Sequence, residues 1–419
     1  MSIDNSELLM LLGGKKSKST IGIAGQQGFG VGVYGGDPAD LTAMGLAPME
    51  GCENPSSDNY GNYIHTNGSV MVFIPAFCYR IGNKSAPSYS RDQENSLEIR
   101  DASEGEGDGW ILHRAFIDGG KQKLGFFIDK YICSYAPNPI NAVVSVKNGE
   151  NMKMNEVIMG IPDTSGDITD AITLSRSRGE HYSCVTCFQW SAISMLSLAH
   201  GQAATDSRFC GWFDSEYITN YPKGNNADAT LTDADDPSVK WTPNQDSSSA
   251  YIGKTGSGSP FNKTTHNGQN CGVTDVNGSQ WQVTIGFITQ SETVGWSMKE
   301  SVKAHDVTKK NRSDPSLFNT GIGLNYVSGS KNWGAYAFFT DSPPASKALC
   351  GVFPRYLASH KSILFGWDVV DMSYTIDAPL VVGGFCDMGA IAGIWARSTQ
   401  FDWITSTEEC SFRVAGYAN

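Results

Sequence analysis

The sequence predicts an α+β fold, rich in loops and built from short antiparallel strands with a few helices. Three observations point there. Glycine supplies 46 of 419 residues, so the backbone must turn often. Charged residues make up only 18% while tryptophans number 10, a composition suited to short strands and a packed core more than to a helical bundle. The best helical period is a single one, over His181 to Ala199.

Taken in order, residues 1–45 read as a separate N-terminal arm. A short apolar turn, Ser6 to Gly13, precedes Lys15 to Ser19 and the glycine-dense run Gly25 to Gly36. Such a piece buries little surface alone and reads as an arm that orders on a partner, with a simple flexible leader as the alternative. Residues 46–419 form one domain with insertions near 222–268 and 297–347. Met71 to Arg80 is β-branched and aromatic, a strand interrupted or edged by Pro75. Ser90 to Asp108 is polar and acidic and reads as a solvated loop, and Leu124 to Cys133 is a second strong strand. In the helix, Trp190, Ile193 and Leu196 recur at threes, and Gly201 stands where it should stop. Residues 222–268 are poor in large apolar groups, which predicts a long surface excursion. The pair Asn277 and Gly278 marks a turn, with Trp281 opening the next strand. Residues 297–347 resemble 222–268 in texture until the strand-like run Asn332 to Phe339.

Charge and motifs exclude several functions. Net charge is −12, and the basic runs are Lys15, Lys16, Lys18 and Lys309, Lys310, Arg312, too little to hold a phosphate backbone. No run of apolar residues is long enough to span a bilayer and no secretion signal is present, so the reading is synthesis in a cytoplasm without membrane insertion. The 10 cysteines are scattered and read as small buried residues with free thiols, including the single pair Cys184 and Cys187. The histidines lack metal spacing, and there is no nucleophile elbow or P-loop, so no enzyme is predicted. Asp233 to Asp236 lacks the rest of a calcium loop and reads as a solvated turn.

The tract 382–415 carries the most information. Gly383, Gly384, Gly389, Ala390, Ala392 and Gly393 alternate with the chemically unrelated Phe385, Asp387, Ile391, Trp395, Phe401, Asp402 and Trp403. A core strand would show one apolar period, and a catalytic strand would gather a few polar groups. This tract does neither, which suits a rigid frame bearing side chains for binding. Trp395 is expected in the core, whereas Phe385, Phe401 and Trp403 are expected on the ligand face.

A series of pieces carries a family resemblance. A strand runs into a proline (Val72 to Pro75), then come Phe126 to Tyr131, the helix start Val185 to Trp190 and the turn Asp275 to Trp281. A strand ending in Gly383 and Gly384 and a closing Phe412 to Ala415 complete the series. From Met71 to the C-terminus this order resembles the formylglycine-generating-enzyme branch of C-type lectin-like folds. The end of the chain is similar to the variable proteins of diversity-generating retroelements, the group that includes the tropism determinants of bacteriophage tail fibres. The matching residues are Gly383-Gly384, Ala390 to Gly393 and Ser411 to Arg413, with Ser411 departing from the family's glycine. Pro48 to Tyr63 also resembles leaders of phage tail proteins.

The resemblance implies a receptor-binding adhesin at a phage tail tip, part of the virion, recognising a host cell-surface protein or glycan. Its contact positions would be Phe385, Asp387, Ile391, Ser398, Thr399, Phe401, Asp402 and Trp403. It further implies a homotrimer docked to a tail or baseplate protein through the N-terminal arm. No cofactor is implied, though lectin-like folds can carry structural calcium. A bacterial or prophage-encoded surface display protein is the alternative on the same fold. An oxidase of the formylglycine-generating type needs two cysteines near the Gly-Gly strand. Here Cys386 sits at a different offset, Gly393 stands near where the second thiol belongs, and Cys410 lies in the next element.

Overall fold

The computed structural model describes residues 19–135, 143–151, 170–213, 231–233, 236–244, 252–290, 293–319, 331–332, 368–372, 378–403, 407 and 409–418. At its centre Val70–Pro75 pairs antiparallel with Gly125–Asp129, Phe73 opposite Phe127. Both strands are buried on both faces after Val70, which explains their unbroken apolar texture. Pro75 ends the first strand, as expected of a residue that cannot donate to a ladder. The full sheet runs Leu46–Pro48, Asn62–His65, Val70–Pro75, Gly125–Asp129, Val414–Gly416, Tyr182–Cys184. The last strand of the chain thus lies inside a sheet begun by the first.

A second sheet is organised by the long strand Trp281–Gln290. One half pairs antiparallel with Pro379–Val382 and parallel with Cys410–Phe412, and the other forms a hairpin with Thr293–Met298. Arg397–Ser398 and Val369–Asp371 extend this sheet. Cys410–Phe412 belongs to the second sheet and Val414–Gly416 to the first, so Arg413 is the residue at which the chain crosses between them.

The helix is Cys187–Ala203, entered through a capping box: the Gln189 amide donates to Thr186 Oγ1 at 3.1 Å and the Thr186 amide to Gln189 Oε1 at 2.8 Å. That box delays the start to Cys187, beyond a strand at Tyr182–Cys184. The helix also passes the expected stop at Gly201. Gln202 holds its last turn by donating to the Asn95 carbonyl (2.9 Å) and accepting from the Leu97 amide (2.8 Å). Every residue from Cys187 to Gln202 is buried, so this is a central helix and not an amphipathic one lying on a surface.

Four expectations about the periphery are corrected. Residues 19–45 do not form an arm of their own: Ile21, Phe29, Val31 and Met44 belong to the same hydrophobic core as the sheets. Residues 1–18 lie outside the described residues. Ser90 to Asp108 is not wholly a loop, because Leu97–Asp101 pairs with Phe77–Ile81 along its length. Much of 252–268 in the first insertion is interior, with Ile252, Thr264, Thr265, His266 and Asn267 buried, and only Ser259 and Pro260 in that span are exposed. The second begins inside the core at Ala304, Val307 and Phe318, and its part from 320 to 347 lies almost wholly outside the described residues, Asn332 to Phe339 included but for its first residue.

Two buried histidines fasten the N-terminal segment. His200 Nδ1 accepts the Gly25 amide (3.0 Å) and its Nε2 faces the Phe209 carbonyl (2.7 Å), with the ring stacked on Phe29. His266 Nδ1 accepts the Val273 amide (3.0 Å), and its Nε2 faces the Gly30 carbonyl (3.3 Å). Each ring therefore has one accepting and one donating nitrogen and is neutral. Burial, the leading cause, draws His200 down to about 4 and His266 down to about 3. The unfolded chain binds these protons near pH 6.5 and the folded chain does not. Stability is therefore fully present above pH 6.5 and lost as pH falls through about 4 and 3, by up to about 1.4 kcal/mol per pH unit for each ring. Urea unfolding at a series of pH values checks this, and His200→Gln should flatten the acid limb.

Candidate functional site: a clamped C-terminal hairpin

Pro379–Val382 and Arg397–Ser398 pair antiparallel, Val382 opposite Arg397, so residues 383–396 are the loop of a hairpin. Gly383 and Gly384 leave the first strand at φ +92° and +80°, a region L side chains rarely adopt. Trp190 lies under Gly383, and a Cβ on Gly384 would stand 2.7 Å from that of Ala392. A Cβ on Gly393 would meet the Asp368 carboxylate at 2.4 Å. That carboxylate is buried and accepts the Trp395 amide at 2.8 Å, fixing the far limb of the loop.

The clamp closes on one carbonyl. Ile394 O accepts from Trp190 Nε1 (2.9 Å) and Arg397 Nη1 (2.8 Å), and from Ser194 Oγ (3.0 Å), whose single proton it shares with the Trp190 carbonyl (3.0 Å). Arg397 also reaches Ser194 Oγ at 3.2 Å, so the central helix and the return strand hold the loop together. Burial pulls the Arg397 guanidinium down to about 9, which leaves it charged at neutral pH.

Gly384→Ala tests the clamp. The left-handed backbone alone costs about 1 kcal/mol for alanine, and overlap with Ala392 adds to it, for an expected loss of about 2–4 kcal/mol. Gly68→Ala is the control: its φ is +90° with nothing within 4 Å of the new Cβ, so only the backbone cost should appear. Chemical denaturation of both variants gives the comparison.

The structure divides the sequence-predicted contact residues. Asp387 and Ile391 are exposed on the short 3-10 turn Cys386–Ile391 at the loop's tip, and Phe401 and Asp402 are half-buried beyond the return strand. Ser398 and Thr399 are buried: Ser398 lies in the return strand opposite Val381, and the Thr399 amide donates to the Asp371 carbonyl. Phe385 and Trp403, expected on the ligand face, are 6% and 5% exposed. Phe385 packs into the core as the chain turns after Gly384, and Trp403 lies beneath the Arg312 guanidinium, 5.3 Å from its ring centre. Trp395 is buried as expected.

Arg397, Asp368, Trp190 and Ser194 were not expected in this site. Arg397 stands two residues after Trp395 at the end of the glycine frame, which is a local signal; Asp368 carries no motif that marks it.

The other candidates are structural. Burial pushes the Cys386 and Cys410 thiols up, away from the reactive thiolate form. The nine described cysteines, Cys184 and Cys187 among them, are buried free thiols. Asp233 Oδ1 accepts the Asp236 amide at 2.9 Å, and the Lys263 ammonium neutralises Asp236. Among the described residues no group of three or more His, Cys, Asp or Glu side chains gathers as metal ligands. No described helix is long and apolar enough to cross a membrane. Searched against protein-family models and against curated proteins, the chain matches none.

Proposed function

We propose that this chain is a receptor-binding adhesin of a phage tail tip with a C-type lectin-like fold, and that the hairpin loop 383–396 with the segment 400–402 is its contact surface. The observation that carries the reading is the contrast within that loop. Its backbone is fastened at Ile394 by three donors and at Trp395 by a buried carboxylate, while Asp387 and Ile391 point outward and hold nothing up. A surface that is rigid in its main chain and free in its side chains loses little entropy on binding. The contact set is Asp387, Ile391, Phe401 and Asp402; Phe385, Ser398, Thr399 and Trp403 support it from below.

The occupant is a host cell-surface protein or glycan, and the chain works as a homotrimer whose three copies turn weak contacts into firm attachment. Attachment to the tail falls to residues before Ser19, because the segment that follows is part of the core. The test is adsorption of the full chain to a panel of bacterial cells, with and without substitutions at Asp387 and Ile391. Adsorption that these leave unchanged removes the reading.

A further inference from the structure

We infer that Lys309, Lys310 and Arg312, beside Trp403, form a notch for the carboxylate or sulfate group of an acidic surface glycan. This rests on the adhesin reading and names the chemistry of its ligand. The three cations were the basic run set aside above as too small for nucleic acid. In the fold Arg312 comes to the end of the contact tract, its guanidinium over the Trp403 ring, and Lys309 adjoins it through a backbone carbonyl that Arg312 holds.

The run is held in shape. The Thr308 amide donates to Asn311 Oδ1 (2.6 Å), the Asn311 amide to Thr308 Oγ1 (3.3 Å), and Asn311 Nδ2 to the Asp306 carbonyl (3.0 Å). Arg312 Nη1 donates to the Lys309 carbonyl, and Ala304 and Val307 root the segment in the core. Asp306 and Asp314, both exposed, flank the run on either side.

Each of the two segments carries one donor without an acceptor, on half-buried Lys309 and on buried Trp403. Lys309 Nζ and Trp403 Nε1 are both buried and have no hydrogen-bond partner among the described residues. Neither group can accept, so the fault is one that only an acceptor relieves. A buried unpaired ammonium is costly, and an anionic oxygen offsets that cost best. Lys310, exposed beside it, adds charge without adding an acceptor.

The whole chain carries −12, so its general field repels anions and any affinity for them must be local. An acidic sugar fits better than an acidic peptide. A sugar hydroxyl can accept from these donors while its own O–H rotates towards solvent, whereas a peptide unit holds its N–H in a fixed direction that needs an acceptor there. Half-buried Phe401, two residues from Trp403, adds an apolar ring against which a sugar's C–H face can lie.

The experiment measures binding of the full chain to polygalacturonate, dextran sulfate, neutral dextran and polyglutamate. Each is run at low salt and at roughly 150 mM, where exposed charges are screened beyond about 8 Å. The test variant is Lys309→Gln/Lys310→Gln/Arg312→Gln. The charge-matched control is Lys84→Gln/Lys121→Gln/Lys240→Gln, all exposed positions. Because losing Arg312 can disturb packing on Trp403, Lys310→Gln alone is the second variant. Acidic glycan is expected to bind and neutral dextran not. The triple variant should lose tenfold or more, Lys310→Gln severalfold, and the control nothing. The carboxylate and sulfate polymers separate the two anion types.

Equal binding by the triple variant, equal loss in the control, or a preference for polyglutamate overturns the notch. If substitutions at Asp387 and Ile391 abolish cell adsorption while the triple variant binds glycan normally, the notch fails and the adhesin reading stands. If the triple variant loses glycan binding while the chain adsorbs to no cell, the adhesin reading fails and the notch stands.

Discussion

Arg413→Ala is expected to cost about 3–5 kcal/mol of folding stability, the range for removing one partner from a buried charge network. Against a typical total of about 5–15 kcal/mol this is roughly a fifth at the least. The reason lies in where the chain crosses between sheets. Arg413 is fully buried and donates to Gln282 Oε1 (2.6 Å) in the second sheet, to the Asp129 carbonyl (2.9 Å) in the first, and to the Thr274 carbonyl. Gln282 in turn donates to the Asp275 carbonyl at 2.7 Å. Asp275 sits at φ +55°, held there by its carboxylate, which accepts the amides of Gly256 (2.8 Å) and Ile132 (3.3 Å). Burial pushes the Asp275 carboxyl up, and the Arg413 charge is the largest effect opposing it. Without the guanidinium, three buried acceptors lose its hydrogen bonds, and the Asp275 carboxylate keeps the Gly256 and Ile132 amides but loses the charge that opposes its burial. Arg413→Lys keeps the charge but loses the planar fork, so its loss should fall between wild type and alanine. Urea unfolding of the three proteins decides it; an alanine variant within 1 kcal/mol of wild type would overturn this account of the junction, on the scale of about 1 kcal/mol expected for an ordinary substitution.

How far the fold was legible follows from the range of the signals. Val70–Pro75 and Gly125–Asp129 are contiguous β-branched and aromatic runs, and buried strands declare themselves that way. The turn before Trp281 was visible because Asn277 and Gly278 are themselves turn residues. Leu97 and Ile99 alternate with Glu98 and Arg100, a strand period, but the surrounding acidic residues made the stretch look solvated. The N-terminal segment looks detached in sequence because Ile21, Phe29 and Val31 are too widely spaced to form a period. What lets that segment pack is close backbone approach: a Cβ on Gly25 would lie 2.7 Å from the Ala203 carbonyl oxygen. In the contact tract the glycine frame was readable, since positive φ is a local demand. Burial of Phe385 and Trp403 was not, because it depends on what lies across from a loop. Arg312, far away in sequence, covers Trp403.

That distinction sets the second large effect. Substituting the outward residues, Asp387→Arg with Ile391→Asp, should lower cell adsorption tenfold or more while leaving stability within about 0.5 kcal/mol of wild type. Ile391 is 36% exposed and Asp387 is exposed as well, and neither side chain holds the loop. Phe401→Ala should add to the loss of adsorption with a small cost in stability, because its ring packs partly on the core. Trp403→Ala should behave in the opposite way. Its side chain is buried under Arg312, so it should destabilise by about 3 kcal/mol or more, and its loss of adsorption, unlike that of the outward residues, should come together with a loss of folding. Natural variation offers a second reading of the same division. Sequencing the gene across a clonal population should find tolerated changes at Asp387, Ile391, Phe401 and Asp402, and none at Gly384, Gly393, Trp395 or Arg397. Substitutions spread evenly over both groups would mean that the clamp and the contact surface are not separate parts.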